Sequence, residues 1–168
     1  IEYSDIFVAK IDHNGNWLWA KQAGGTGYDA GYGIAVDTNG NSYVTGEFDG
    51  SATFGTTTFT SSGGSDIFVA KLDSNGNWLW AKQAGGTDDD YGKGIAVDNN
   101  GNSYVTGYFW SSATFGTTTL TSSSDYGSDI FVTKLGEVNS IDLPDIISFN
   151  GIRSIYPNPF NPLTTIDY

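Results

Sequence analysis

The sequence contains neither cysteine nor methionine, and it contains a single histidine, His13. Without cysteine the chain has no disulfide framework and no thiolate chemistry. His13 therefore has no thiol partner, and it is a poor candidate for a general base. No apolar run approaches the roughly 18 residues that a bilayer-spanning segment needs, so membrane insertion is not predicted.

Basic residues are scarce. Lys and Arg together number 7 against 19 Asp and Glu, which gives a formal net charge of −12. Such a chain cannot neutralise a run of phosphates, and this argues against nucleic acid and against an anionic membrane surface as partners. The chain begins at Ile1 without a visible signal peptide, and we expect the natural N-terminus to lie upstream.

Glycine and aromatic residues are abundant. The chain has 23 Gly, and aromatic residues make up 15% of it, which is too many for a disordered acidic chain. Glycine-rich turns combined with Tyr, Phe, Trp, Val and Thr are typical of short strands joined by tight turns. The composition therefore predicts an all-β protein.

The sequence repeats itself. The heptapeptide Ser4–Lys10 returns as Ser65–Lys71 and again, with one change, as Ser128–Lys134. We therefore divide the repeat region 1–135 into two copies and a partial third, which cover residues 4–64, 65–127 and 128–135.

Each copy holds two hairpins. The pattern Asp-x-Asn-Gly-Asn begins at Asp12, Asp37, Asp73 and Asp98, each time between two strand-like runs. Asn-Gly in that position predicts a type I′ turn, in which both central residues have positive φ. The predicted strands, in the order A to D, are Gly94–Val97, Asn102–Phe109, Asp66–Leu72 and Asn77–Gln83.

Four antiparallel strands per repeat form the blade of a β-propeller. Strand C is apolar on both sides, with Ile67 facing one way and Phe68 the other, so both faces of the sheet need cover. We predict tandem four-stranded antiparallel β-propeller-type blades, just over two in number and open. A β-sandwich is the rival architecture. The connection Ala52–Thr60 between strands B and C is a weaker candidate strand.

The segment Ser65–Lys82, with Gly94–Asp98 and Gly101–Gly107 after it, resembles the bacterial β-propeller repeat called SBBP. The resemblance covers about residues 4–135. It implies a propeller in a large secreted or cell-surface protein, and it implies no particular activity.

A different segment follows the repeats. Residues 136–154 are predicted to be a linker, and residues 155–168 resemble the opening of the C-terminal sorting domain of the type IX (Por) secretion system of Bacteroidetes. The motif that carries this resemblance is Tyr156, Pro157, Asn158, Pro159, Phe160, Asn161 and Pro162. It implies export, with the secretion machinery as a partner, although the sorting domain is cut short at Tyr168.

The four Asp-x-Asn-Gly-Asn turns are rich in side-chain oxygen atoms, which makes them candidates for metal binding. Asp12, Asp37, Asp73 and Asp98 resemble parts of calcium loops, but they lack the distal bidentate Glu of an EF-hand. An Asp side chain that accepts hydrogen bonds from the amides of its own turn also explains these positions, and we favour that interpretation. We therefore expect no cofactor, and a calcium ion is the alternative. The run 88–90 is interpreted as a solvated loop, with cation or sugar binding as its alternative.

Differences between the copies concentrate at one end of the blades. They fall in the D-to-A loops and at the exits of strand B, which emerge on the same side, where binding loops usually lie. Candidate ligand-binding residues there are Tyr28, Tyr91, Tyr108 and Trp110. Trp78 and Trp80, like Trp17 and Trp19, are predicted to share one face and pack between blades, with sugar stacking as the alternative.

These observations predict a non-catalytic structural or interaction module of an exported or cell-surface bacterial protein. The alternative is a glycan-binding, lectin-like propeller that uses the aromatic loop residues. An enzyme is disfavoured because an active site is assembled once, whereas nearly every polar residue here recurs. The blade faces left without a neighbour predict self-association.

Overall fold

The computed structural model describes residues 3–123 and 127–136, together with the backbone of 146–148. The described strands are β1 (Ile6–Ile11), β2 (Trp17–Gly25), β3 (Asp29–Val36), β4 (Ser42–Phe48), β5 (Ser51–Phe54), β6 (Thr57–Thr60), β7 (Asp66–Leu72), β8 (Trp78–Ala84), β9 (Asp90–Val97), β10 (Ser103–Trp110), β11 (Ser112–Phe115), β12 (Thr118–Thr121), β13 (Ser128–Leu135) and β14 (Ile146–Ser148). Among these residues no helix is long and apolar enough to cross a membrane.

The strands form open, propeller-like blades, which confirms the predicted fold class. The central blade is the antiparallel sheet β3-β4-β7-β8, in the predicted order A to D. Strands β1 and β2 supply C and D of the blade before it, and β9, β10 and β13 supply A, B and C of the blade after it. We refer to these as the first, second and third blades.

The connection between strands B and C is a hairpin of its own. Strands β5 and β6 pair with each other, and β5 also pairs with the end of β2, which belongs to the preceding blade. Strands β11 and β12 repeat this arrangement, with Thr114 bridging to Gly85 just after β8. Each hairpin therefore pairs with the end of strand D of the preceding blade, or with the residue just after it. The sequence indicated a weak strand here but not this long-range pairing.

Two buried apolar clusters fill the junctions between blades. Ile6 and Val8 of the first blade meet Phe68, Ala70 and Leu72 of the second. The same positions recur at the next junction, where Ile67 and Val69 pack with Phe131. The two sides of strand C thus face different neighbours, as the alternation predicted. The hairpins add Phe54 to the first cluster and Phe115 to the second.

The type I′ prediction for the four turns is wrong. In the turn after β1, the amide of Gly15 donates to the carbonyl of Asp12, and the amide of Asp12 donates to the carbonyl of Asn16. Gly15 has a φ of 84°, whereas Asn14 is not among the residues with positive φ. The loop is therefore a type I turn followed by a left-handed glycine, which makes it one residue longer than predicted. The other three turns have the same hydrogen bonds.

The prediction that the two tryptophans of strand D share one face is also wrong. Leu72 pairs with Trp78 and Lys71 pairs with Trp80, so Leu79 is an extra residue in a β-bulge. A bulge inserts one residue and reverses the alternation of the side chains beyond it. Trp78 consequently packs against the first junction cluster and Trp80 against the second. The predicted role in blade packing is confirmed for Trp19, Trp78 and Trp80, but it is wrong for Trp17, which is 72% exposed.

Strand β14 falls inside the predicted linker 136–154. It pairs antiparallel with β13 through Val132 and its neighbours, and it takes the strand D position of the third blade. The sorting motif at 156–162 lies outside the described residues.

One face of each terminal blade is exposed. Phe7 is 77% exposed, whereas the equivalent Phe68 and Phe131 are 0% exposed because a neighbouring blade covers them. On the opposite face, Ile130 is 59% exposed, whereas Ile6 and Ile67 are 1% exposed. These two faces are the complementary halves of the junction that the chain forms twice internally.

Candidate functional site: an aromatic cluster across a blade junction

The candidate site lies where the first residues of strand A meet the last residues of strand B. Strands β3 and β4 contribute residues of the second blade to the site, and strands β9 and β10 contribute residues of the third blade. Two glycines allow close packing here, since a Cβ atom on Gly92 or on Gly107 would collide with neighbouring atoms. The backbone beneath the site is therefore held by tight contacts between strands.

A β-bulge presents one side chain from each of the two A strands. Gly31 pairs with Gly46 and Gly33 with Thr45, which leaves Tyr32 as the extra residue of β3. The register of β9 with β10 shifts in the same way between Gly92 and Gly94, leaving Lys93 extra. Bulges re-aim side chains, and they are frequent next to functional sites.

Three aromatic rings of the third blade contact one another. Tyr91 and Tyr108 are directly paired residues of β9 and β10, and their ring centroids are 5.0 Å apart. Trp110 lies 5.7 Å from Tyr91 and 5.1 Å from Tyr108, in both cases edge to face. The structure thus brings together three of the four residues predicted for ligand binding. These distances are in the range of favourable aromatic pairs.

The ammonium group of Lys93 connects these rings with the second blade. Its Nζ atom lies 3.5 Å from the centroid of Tyr32, 4.4 Å from that of Tyr91 and 5.4 Å from that of Tyr108. All three distances lie within the range of cation–π attraction. Burial lowers the pKa of Lys93, while the nearby charge of Glu47 opposes that shift.

Glu47 is the acidic component of the cluster. It is buried on β4, and the hydroxyl of Tyr32 donates a hydrogen bond to its Oε1 atom. Burial first, and then this hydrogen bond to a carboxylate, raises the pKa of Tyr32. Burial and the charge of Asp89 raise the pKa of Tyr91 to about 12, so both phenols are protonated hydrogen-bond donors at neutral pH.

Tyr28, the fourth predicted residue, lies at the edge of the cluster. Its side chain is exposed in the loop before β3, and it acts electrostatically on Tyr32. We define the rim cluster as Tyr28, Tyr32, Glu47, Tyr91, Lys93, Tyr108 and Trp110. The sequence analysis missed Tyr32, Lys93 and Glu47 as site residues, although the copies differ at these very positions.

The rim cluster is suited to recognition. Tyrosine and tryptophan rings offer flat apolar faces, while phenol hydroxyls, one ammonium group and one carboxylate offer directional hydrogen bonds. Such a surface can stack against a sugar ring or hold the side chains of a peptide. His13, the only histidine in the sequence, is exposed in the turn after β1.

The predicted metal residues lie in four separate turns with the same geometry. In the turn at Asp73, Oδ1 accepts the amides of Asn75 and Asn77, and Oδ2 accepts the side-chain amide of Asn77. These hydrogen bonds, led by the Asn77 amide, lower the pKa of Asp73. Asp12, Asp37 and Asp98 bond their own turns in the same way.

The interpretation of the run 88–90 as a solvated loop holds for its first two residues and is wrong for Asp90, which opens strand β9. Asp88 and Asp89 are exposed, and Oδ1 of Asp89 accepts the amide of Ser65. Asp90 is fully buried at the start of β9. The three neighbouring carboxylates therefore have different surroundings.

Two segments of the chain match the sequence model of the SBBP family, described as a beta-propeller repeat. The matches cover residues 18–47 and 79–111, and each runs from strand D through strands A and B of the next blade. Fold and family match therefore agree that the described part of the chain contains propeller repeats, and that the repeat unit crosses a blade junction.

Two curated proteins are similar to this chain. An uncharacterised WD repeat-containing protein of Acanthamoeba polyphaga mimivirus is 30% identical over 140 residues, covering 76% of this chain and 10% of its own length. Regulatory protein FlaEY of Caulobacter vibrioides is 31% identical over 108 residues, covering 62% of this chain and 11% of its own length. The chain thus spans about a tenth of the length of these relatives.

Proposed function

We propose that this chain is a non-catalytic interaction module that binds its partner through the rim cluster. The observation that carries the proposal is the contact between Tyr32 and Lys93, because it joins two blades at a position where the copies of the repeat differ. The scaffold beneath is nearly identical in both copies. Variable side chains on a constant, rigid framework are the usual design of a binding surface.

We further propose that the module belongs to an exported or cell-surface bacterial protein. The support for this is the sequence resemblance of residues 155–168 to a type IX sorting domain. In that setting the partner is a surface protein or a surface glycan.

A glycan ligand is the second candidate, and the ring geometry favours it specifically. Trp110 is partly exposed beside Tyr108, and Lys93 and the tyrosine hydroxyls lie within the same small area. Aromatic faces flanked by hydrogen-bonding groups are what a pyranose ring requires.

An array that carries both glycans and peptides tests these proposals. The chain is applied beside Trp110→Ala and a matched control, Trp17→Ala, which removes an exposed tryptophan outside the rim cluster. We expect specific binding that Trp110→Ala loses and Trp17→Ala keeps. Loss confined to glycan spots would establish the lectin, and loss confined to peptide spots would establish the protein-binding module. Binding that survives Trp110→Ala would refute the rim cluster as the site.

A further inference from the structure

Two aspartates from neighbouring blades meet at the second blade junction. Asp66 opens β7 and Asp90 opens β9, and both are 0% exposed. Oδ1 of Asp66 and Oδ2 of Asp90 both lie within 3.0 Å of the point where a Cβ atom on Gly85 would be. The two carboxyl groups therefore converge on the same small space, which exists because residue 85 has no side chain.

The first junction has a related arrangement, in which one of the two aspartates, Asp5, is exposed. Oδ1 of Asp5 and Oδ2 of Asp29 lie within 2.8 Å of the corresponding point on Gly24, and Asp29 is 0% exposed. Gly24 has a φ of 138°, a conformation that other residues rarely adopt. A pair of aspartates beside a glycine is thus a recurrent part of the blade junction.

The pair at the second junction has too few hydrogen-bond donors, and at the first junction, where Gln22 and Gly25 donate to Asp5 and Asp29, one buried oxygen lacks a donor. Oδ2 of Asp90 accepts the amide of Gly86 at 2.7 Å, and Oδ2 of Asp66 accepts the side-chain amide of Gln83 at 2.6 Å and the amide of Ser62 at 3.2 Å. The remaining oxygens are buried without a hydrogen-bond partner, namely Oδ1 of Asp29, Asp66 and Asp90. A buried carboxylate oxygen left without a donor is costly, which indicates that something else occupies this space.

The charged groups that act on these pairs are all acidic. Asp66, on β7, and Asp88, in the loop before β9, act on Asp90. At the first junction, Asp5 and Asp49 act on Asp29. The groups that bond Asp66 from β8 and from the loop before β7, Gln83 and Ser62, are uncharged. Two ionised carboxylates in such surroundings repel each other.

We propose that the second blade junction is a binding site for one proton, which the carboxyl groups of Asp66 and Asp90 share. With the proton in place, one carboxyl group becomes a donor and the other its acceptor, so Oδ1 of Asp66, which faces Oδ2 of Asp90, gains a partner. A calcium ion takes six to eight oxygen ligands. Within the described part of the chain, no group of three or more acidic or histidine side chains could hold a metal ion. The proposal of a proton site does not rest on the proposed ligand binding at the rim cluster.

Proton binding makes the junctions depend on pH in an unusual direction. Burial raises the pKa of Asp90 to about 7 and that of Asp29 to about 6, from 3.8, and the neighbouring aspartate adds to both shifts. Between about pH 4 and pH 7 the folded chain therefore binds more protons than the unfolded chain. Stability is consequently greatest at the acidic end of this window and falls as the pH rises through it.

Thermal unfolding at pH 5 and at pH 8 tests the proposal on the full chain. We expect the Tm of the wild type to be lower at pH 8 by roughly 5 °C or more, because losing the proton leaves two buried charges. Asp66→Asn keeps the shape of the side chain and supplies a permanent donor, so it should raise the Tm at pH 8 and reduce the difference. The matched control is Asp129→Asn, since Asp129 occupies the same repeat position but bonds Ser123. This control should keep the full difference.

A carboxyl-carbon NMR titration of the wild type provides a measurement that needs no variant. We expect one carboxyl group of the second junction to titrate near pH 7. A Tm that does not fall from pH 5 to pH 8, together with buried aspartates that all titrate near pH 4, would overturn the proposal. So would a rise of the Tm on adding calcium at pH 8 that Asp66→Asn abolishes, because the site would then bind a metal ion.

Discussion

The ammonium nitrogen of Lys93 lies 3.5 Å from the centre of the Tyr32 ring, although the two residues occupy the same position in consecutive copies of the repeat. Each is the extra residue of a bulge in strand A of its own blade. Stacking of the blades brings equivalent positions together, so a cation in one copy can meet an aromatic ring in the next. Divergence between copies has thus created a contact that identical copies could not form.

Removing the cation should weaken this junction. Lys93→Ala loses attraction to three rings, and we expect the free energy of unfolding to fall by about 1 kcal/mol in urea titrations. Lys82→Ala, which removes an exposed lysine on β8, is the matched control and should stay within about 0.5 kcal/mol of the wild type. Equal stability of the two variants would show that the cation–π contacts contribute nothing.

A single serine has an unfavourable backbone conformation. Ser111 has a φ of 54°, and it is the only described residue other than glycine with positive φ, whereas its equivalent in the other copy is Gly50, with a φ of 67°. Left-handed backbone costs an ordinary residue about 1–2 kcal/mol. Ser111→Gly should therefore stabilise the chain by up to about 1 kcal/mol, and Gly50→Ser should destabilise it. If denaturant unfolding showed that Ser111→Gly destabilises the chain or that Gly50→Ser stabilises it, this interpretation would be contradicted.

The four Asp-x-Asn-Gly-Asn turns should not need calcium. Both carboxylate oxygens of each Asp already accept hydrogen bonds within the turn, as at Asp37. We expect the same Tm, at a fixed pH of 5 so that the junction carboxyls stay protonated, with a chelator and with millimolar calcium. A rise of several degrees with calcium would show that the turns bind the ion, because a ligand stabilises the state that binds it.

The exposed blade faces should make the isolated chain associate. Phe7 and Ile130 mark two complementary faces, and an exposed apolar patch of this kind favours association without a fixed stoichiometry. In light scattering, Phe7→Asp should reduce association, whereas Leu79→Asp, at an exposed leucine in the bulge of β8, should not. A single stable dimer or trimer with a two-state melt would instead indicate an oligomeric propeller.

The sequence predicted what the repeat and the local patterns determine. The alternation of Ile67 and Phe68 was sufficient to assign the two faces of strand C, and the spacing of the Asn-Gly turns was sufficient to find the four strands of a blade. The features it missed depend on register. The bulge at Leu79 separates Trp78 from Trp80, and no residue type in that segment marks it.

The same limit applies to the site. Tyr91, Tyr108 and Trp110 were found because they are aromatic and differ between copies. Tyr32 and Lys93 differ as well, but their contact depends on how one blade stacks on the next, which local sequence does not encode. The pairing of β5 with β2 was missed for the same reason, because it joins residues far apart in the chain.

The central claim is that one binding site is assembled from two blades. The most direct test measures the dissociation constant of the strongest array ligand for three variants. Tyr32→Ala alters the second blade, Tyr108→Ala alters the third, and Tyr104→Ala removes a tyrosine of β10 that lies outside the rim cluster. We predict that the first two each weaken binding about tenfold or more and that the third leaves it unchanged. If Tyr32→Ala binds as well as Tyr104→Ala does, the site does not span the junction and the account is wrong.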